Sequence, residues 1–189
     1  MKIKEFANII SGYTFRGTIE NHLNGDVFVI QAKNIVAGED IKDSQNLTKI
    51  FFNGAHGASF LQKNDILVVS RGYGRNAFRA SVFKSGINNV IASSSTIIIR
   101  IINNEVLPEF ISVFINSSEG QKLIMESVTG STIKAILRGK FRKISVPIPS
   151  IDRQEIIIKL ANNLKRQEKI CARKIQIKKN IANSIFEKL

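Results

Sequence analysis

Residues 138–164 read RGKFRKISVPIPSIDRQEIIIKLANNL. Two of the chain's three prolines, Pro147 and Pro149, stand together in this stretch, and the third is Pro108. Each proline fixes its own φ, removes a backbone donor and pushes the preceding residue towards an extended shape. The β-prone run before them, Phe141–Val146, reads as a last strand, and the residues after them read as helix. Ser150 or Asp152 can cap that helix, and Glu155 follows Asp152 by three residues, the spacing of a capping box. From Asp152 to the chain end the helix would be ~57 Å long at ~1.5 Å per residue. A stiff extended strap thus joins a body, residues 1–150, to a helical arm, residues 151–189.

The arm carries an apolar seam. Ile157, Leu160, Leu164, Cys171, Ile175, Ile181 and Ile185 fall roughly on one side, interrupted by Gln167, Lys174 and Lys178. This broken heptad pattern calls for packing against another helix, because alone the stripe would stay in water.

Towards the N-terminus the body reads as α+β, with a mixed or antiparallel sheet first and small helices later. VFVIQAKNI (27–35), ILVVS (66–70), FRASVFK (78–84) and VIASSSTIIIRI (90–101) read as strands, the last interrupted by its serines. Pro108 suits a first helical turn, with Phe110, Ile111, Phe114 and Ile115 sharing a face. Leu123, Ile124 and Val128 continue a second helical run. The segment after Val128 reads as a polar loop passing into a short helix near Lys134–Leu137.

The 189 residues carry a net charge of +13 with 43% hydrophobic content, enough for a core. Lys165, Arg166, Lys169, Arg173, Lys174, Lys178 and Lys179 make the arm strongly basic. A globular chain this basic points to a polyanion, with nucleic acid first. The single cysteine excludes an intramolecular disulfide and thiolate metal clusters, and suits a reducing cytoplasm. Neither a secretory signal nor a long apolar span is visible, so cytoplasmic localisation is the expectation.

Catalytic chemistry is sparse. His22 and His56 are the only histidines, and His56 in NGAHGAS has no metal ligand at suitable spacing. P-loop and G-x-S-x-G motifs are absent, and Gly72-x-Gly74 lacks the third glycine of a dinucleotide site. So is the Asn-Pro-Pro-aromatic pattern of amino-methyltransferases. Asp26, Gln31 and Lys33 loosely imitate a Mg²⁺-dependent nuclease centre, with Gln31 and Lys33 on one strand face. Asp26, however, sits on the same strand's first turn rather than on a separate strand.

Four polar or basic segments suit DNA contact. The first is Ser70–Asn76, where Arg71 and Arg75 can grip phosphate or read guanine, Asn76 can pair with adenine and Tyr73 can stack. Arg79 extends it. The second is Thr129–Lys134, whose Ser131, Thr132 and Lys134 form a phosphate clamp with Arg138, Lys140, Arg142 and Lys143. The third is Gly12–Gly17, with Tyr13 and Arg16. The fourth is Gln31, Lys33 and Asn34 at a strand end. Each also has a plain reading as a solvated loop or helix cap.

Taken together, the motifs resemble a known family. ISGYTFRG, FVIQAKNIVAGEDI, LQKNDILVVSRGYGRNA, IASSSTIIIRI, PEFISVFINSSEGQKLI, TGSTIKAI and FRKISVPIPSIDRQEIIIKLANNL occur in the order and spacing seen in specificity subunits of type I restriction-modification systems. Pro147, Pro149, Gln154 and Ile157 or Ile158 match the family's P-(L/I)-P-x-x-x-x-Q-x-x-I segment. Asn64 stands where a glycine is usual before Asp65. The resemblance implies a target recognition domain over 1–150 and one spacer helix over 151–189, non-catalytic, reading one half-site of double-stranded DNA. It also implies docking to methyltransferase subunits and, where present, restriction subunits; those partners would bind S-adenosylmethionine, ATP and Mg²⁺. The usual subunit has two such domains and two such helices. One of each implies a fragment, a half-size subunit or a single-domain relative, and two copies pairing their helices as a coiled-coil-like homodimer would read a split palindrome. A stand-alone sequence-specific DNA-binding protein and the nuclease are the alternatives.

Overall fold

The structure is a computed structural model that describes residues 1–52, 60–74 and 77–186. The expected contacts Arg75 and Asn76, and His56 with its Gly-rich loop, lie outside the described residues. A four-stranded antiparallel sheet forms the middle layer. Its order is β1 (Ala7–Ser11), β8 (Thr96–Ile101), β4 (Ile66–Val69), β6 (Ala80–Val82). All four residues of β4 are buried, which explains its unbroken apolar run: both faces of this sheet are covered. Ile66, Val68, Ile97 and Ile99 face one core with helices α2 (Pro108–Asn116) and α3 (Ser118–Met125). Leu67, Val69 and Ile98 face the other core, against a mixed sheet of order β3 (Thr48–Ile50), β2 (Val27–Ile30), β7 (Val90–Ala92). There β2 pairs β3 antiparallel and β7 parallel. The α+β expectation, with its sheet and small helices, is the observed fold.

Three local expectations are corrected. The second helical run stops at Met125, and Val128 lies in a strand paired with Ile136. Lys134–Leu137 is not helical: Lys134–Ile136 is strand β10, paired on both sides, to β5 (Arg71–Gly72) and β9 (Val128–Thr129). Phe141–Val146 is not a strand. Phe141 ends a short helix, α4 (Arg138–Phe141), which delivers its ring into the core. The chain after it runs extended against the N-terminus and the start of the first helix, α1 (Ile3–Phe6). Ile3 N–H donates to Ile144 O, and Met1 and Val146 exchange bonds of 2.9 and 2.8 Å, with only one β-bridge, Lys2 to Ser145.

The turn before β4 is anchored by a buried carboxylate. Asp65 accepts from Arg100 Nε at 2.9 Å, from Arg100 Nη2 at 2.8 Å and from Gln62 N–H at 2.8 Å. The hydrogen bond to Asp65 pushes the Arg100 guanidinium above its ordinary value. Asn64 has φ +75°, a left-handed conformation that glycine adopts freely and asparagine tolerates, which accounts for the departure from the family pattern at this turn.

Beyond the strap, α5 spans Ile151–Phe186, 36 residues, or ~54 Å at ~1.5 Å each. It begins one residue before Asp152, so Asp152 lies in its first turn rather than at its cap. The first half of the helix rests on the body. Gln154 is fully buried, and Ile158 packs on the core. Lys165 Nζ donates to Ala37 O at 2.7 Å, and Lys165 and Lys169 meet Glu39 at 3.4 and 2.7 Å. From there on the helix stands clear in solvent.

The Lys169 hydrogen bond, opposed by partial desolvation and helped by the charge of Lys165, holds Glu39 below its ordinary value of 4.5. A depressed carboxylate stabilises above its unfolded pKa, and that stability is lost as pH falls through the folded one. The tether is exposed, so its contribution is only about 0.5 kcal/mol. Glu39→Gln is expected to lower the amide protection factors (observed exchange relative to the intrinsic rate at the same pH) around Lys165–Lys169 at neutral pH, and acidification below the ordinary carboxylate range should lower the same protection factors in the unaltered chain. Unchanged protection in both cases would remove Glu39 as a tether.

Candidate nucleic-acid interface

The two strongest sequence candidates are neighbouring strands of one sheet. β5 carries Arg71 and continues into Tyr73. β10 begins at Lys134, just past Ser131 and Thr132, and pairs Lys134 with Gly72 and Ala135 with Arg71. β9 completes a three-stranded finger of order β5-β10-β9. Its root is fastened to the middle sheet: Ile136 N–H donates to Ser70 O at 2.9 Å, and Ser70 N–H to Ser95 O at 2.8 Å. Exposure rises along the finger, from 8% at Ile136 to 62% at Ile133 and 80% at Tyr73. The hairpin at its tip turns at Gly130, φ +99°, where a Cβ would lie 2.3 Å from Ile133 O. Ser131 and Thr132 are exposed on that hairpin, while Lys134 is half-buried. Beside the finger a cleft of about 550 Å³ is lined by Gly74, Lys122 and Lys134 among others.

α4 adds a second basic region. Arg138 and Lys140 are exposed, and Arg138 Nη1 donates to Ser11 Oγ at 2.6 Å. Arg138 and Arg142 face Lys4 and Asn8 across an open cleft of about 460 Å³. Lys4 was not legible as a site residue, because it reaches α4 only through the pairing of the two ends of the body.

Other expected contacts sit differently. Tyr13 is half-buried and stacks edge-on with Phe15 and Phe52 at 5.0 and 5.1 Å, so its ring closes a small aromatic cluster. Arg16 beyond it is exposed. Gln31 Nε2 donates to Thr48 Oγ1 at 3.1 Å, and Asn34 spans Gln31 N–H and Asn46 O, so both side chains hold their own loop. Arg79 donates to Ile35 O and Ala32 O at 2.9 and 3.2 Å and fastens the same loop from below. Lys33 alone of this group is exposed.

The nuclease geometry is not formed. β2 ends at Ile30, and Ala32–Asn34 is a 3-10 turn, so Gln31 and Lys33 share no strand face. Asp26 Oδ1 accepts from Phe52 N–H at 2.9 Å. Among the described residues, no three metal-binding side chains gather, and no helix is long and apolar enough to cross a membrane.

On α5 the seam is open to solvent, from 37% exposed at Ile157 to 61% at Leu164, and Cys171 is exposed too. Ile156, Ile170 and Ile177, outside the predicted seam, are exposed as well and widen it. At its start the seam meets an apolar groove of about 520 Å³ between α2 and the strap, where Phe110, Phe114, Pro147, Pro149 and Ile157 converge.

A family model described as the type I restriction modification DNA specificity domain matches residues 1–183. No curated protein sequence matches the chain. Among solved structures it is similar to the HsdS subunit from Thermoanaerobacter tengcongensis (TM-score 0.61, 12% identity, covering 91% of this chain and 38% of that one). It is also similar to the type I restriction-modification S subunit from M. genitalium (TM-score 0.58, 15% identity, 94% and 41%). A third likeness is to a chain from a structure described as the basis of complex assembly and conformational transition of the type I R-M system (TM-score 0.64, 13% identity, 91% and 39%). At these identities the likeness is one of fold. The chain spans about two-fifths of the length of each structure it matches.

Proposed function

The chain belongs to the type I restriction modification DNA specificity domain family, and from that membership we propose that it is the DNA-reading part of a type I system, itself non-catalytic. The observation that carries this reading is the finger. Two segments far apart in sequence, each rich in phosphate- and base-contacting side chains, converge on one protruding three-stranded unit of a chain with net charge +13. Phosphate contacts from Arg138, Lys140 and Lys134 would set register, and base contacts would come from the finger. Methyl transfer, with S-adenosylmethionine, and any ATP- and Mg²⁺-dependent cleavage belong to methyltransferase and restriction subunits docked on it.

The arm is the assembly surface. Its seam needs a partner helix, and a second copy running antiparallel fits the pattern. Setting Leu160 against Ile185 of the second copy sets Leu164 against its Ile181. The interruptions then fall together in the middle, Gln167 beside Lys178 and Cys171 beside Lys174. A parallel pair in register would instead stack Lys174 on Lys174 and Lys178 on Lys178, like charges in adjacent layers. The antiparallel dimer carries its two fingers at opposite ends and reads a split palindrome.

Selection of duplexes from a random pool by the full chain tests this. An enriched inverted repeat with a fixed gap is expected, together with a dimer by sedimentation that becomes a monomer when the chain ends at Ser150. No enrichment overturns DNA reading. An enriched single site bound by a monomer overturns self-pairing and points to a stand-alone reader.

A further inference from the structure

The tip of the finger carries two large apolar side chains that no core claims. Tyr73 is 80% and Ile133 62% exposed. Single exposed apolar residues are ordinary on protein surfaces, but these two are neighbours. β5 and β10 pair antiparallel with Gly72 opposite Lys134 and Arg71 opposite Ala135. Continuing that register by one step places Tyr73 opposite Ile133. Strand alternation puts Tyr73 on the same face as Arg71, and Ile133 on the same face as Ala135. One face of the finger therefore presents a guanidinium, a small residue and an apolar pair, in that order from root to tip.

Width decides which groove such a tip enters. Three strands at ~4.8 Å spacing span about 10 Å of backbone. The minor groove of an undistorted duplex, about 6 Å wide, is too narrow for that; the major groove, about 12 Å wide, can take it. The one apolar group displayed on base edges in the major groove is the thymine C5-methyl. A wedge between base steps is a minor-groove device that requires the duplex to be kinked and that groove opened.

We infer that Tyr73 and Ile133 form an apolar pair that reads a thymine methyl group in the major groove, next to the base contacted by Arg71. This rests on the chain being a DNA reader. It adds what that reading leaves open: a residue pair, Ile133 included, that discriminates thymine by its methyl group alone.

The test uses the full chain and the duplex it selects. Each thymine of the site is replaced singly by uracil, which removes the methyl and keeps every hydrogen-bonding group. Binding is expected to weaken roughly fourfold at one or two thymines per half-site, the worth of one buried methyl-sized group. In Tyr73→Ser or Ile133→Ser the affinity should fall by a similar factor, and the same uracil substitution should then cost nothing. Both positions are exposed, so their melting temperatures should match that of the parent, which separates lost contact from lost fold. A flat uracil scan on a tightly bound site overturns the methyl contact while leaving DNA reading intact. So does uracil sensitivity that persists in both variants. A rise in 2-aminopurine fluorescence on binding, abolished by Ile133→Ser, would show base unstacking and replace the methyl contact with a wedge. No selected duplex at all overturns both readings.

Discussion

Replacing Gln154 by Leu lowers the unfolding free energy by about 3 kcal/mol, at about 1 kcal/mol for each backbone group left without a partner. The side chain is completely buried at the start of α5. Its Oε1 accepts from Leu107 N–H at 2.9 Å, and its Nε2 donates to Glu105 O at 2.7 Å and to Pro149 O at 2.9 Å. One amide thus ties the helix to the strap that precedes it and to the turn leading into α2. Leucine fills the same space but satisfies none of the three. The loss should appear in denaturant melts as a lower midpoint at unchanged slope, with faster amide exchange over Ile151–Lys159. A loss below about 1 kcal/mol would mean that water or a shifted backbone replaces the amide, and that Gln154 does not set the arm's direction. In the proposed dimer the position would matter for assembly, because an arm whose base is loose holds its finger at no fixed angle to a second site.

Asp65→Ala costs a similar amount, about 3 kcal/mol, by a different route. Removing one partner of a buried ion pair strands the other charge, a penalty of about 3–5 kcal/mol when both are fully buried. Arg100 is partly exposed, so the lower end applies. The variant also orphans Gln62 N–H and releases the turn that feeds β4, one of the two inner strands of the middle sheet. A double variant, Asp65→Leu with Arg100→Leu, should recover a large part of the loss, since the pair's attraction is offset by its desolvation. If the double variant is as unstable as the sum of the two single ones, the pair is not the coupled unit proposed, and Asp65 matters through the Gln62 bond instead.

Much of this was legible in the sequence, and for local reasons. Pro147 and Pro149 mark the strap because proline acts on its own φ and on its neighbour, whatever the fold. Pro108 and the spacing of Phe110, Ile111 and Ile115 mark α2 for the same kind of reason. The runs at 66–69 and 96–101 read as strands because they are short, apolar and rich in β-branched residues, and both lie in the sheet that is covered on its two faces. Lys134–Ile136 misled because three residues carry no period; two flanking strands, not propensity, make it extended. Phe141–Val146 reads as a strand because of its aromatic and β-branched residues, yet its first residues turn with α4 and the rest bond to the N-terminus at the other end of the body.

The sequence by itself determined that a basic α+β body is joined by a rigid strap to a long helix with an unpaired apolar seam. Composition, proline placement and periodicity act within a few residues, so they survive without knowledge of the fold. Only the tertiary structure decided that Ser70–Gly74 and Thr129–Lys134 form one finger with Tyr73 and Ile133 exposed near its tip, that Gln31, Asn34 and Arg79 hold a loop together, and that Gln154 is a buried latch. Each of these depends on which distant segments pair and in what register. Register is set by the packing of the two cores, a property of the whole chain that no local stretch encodes.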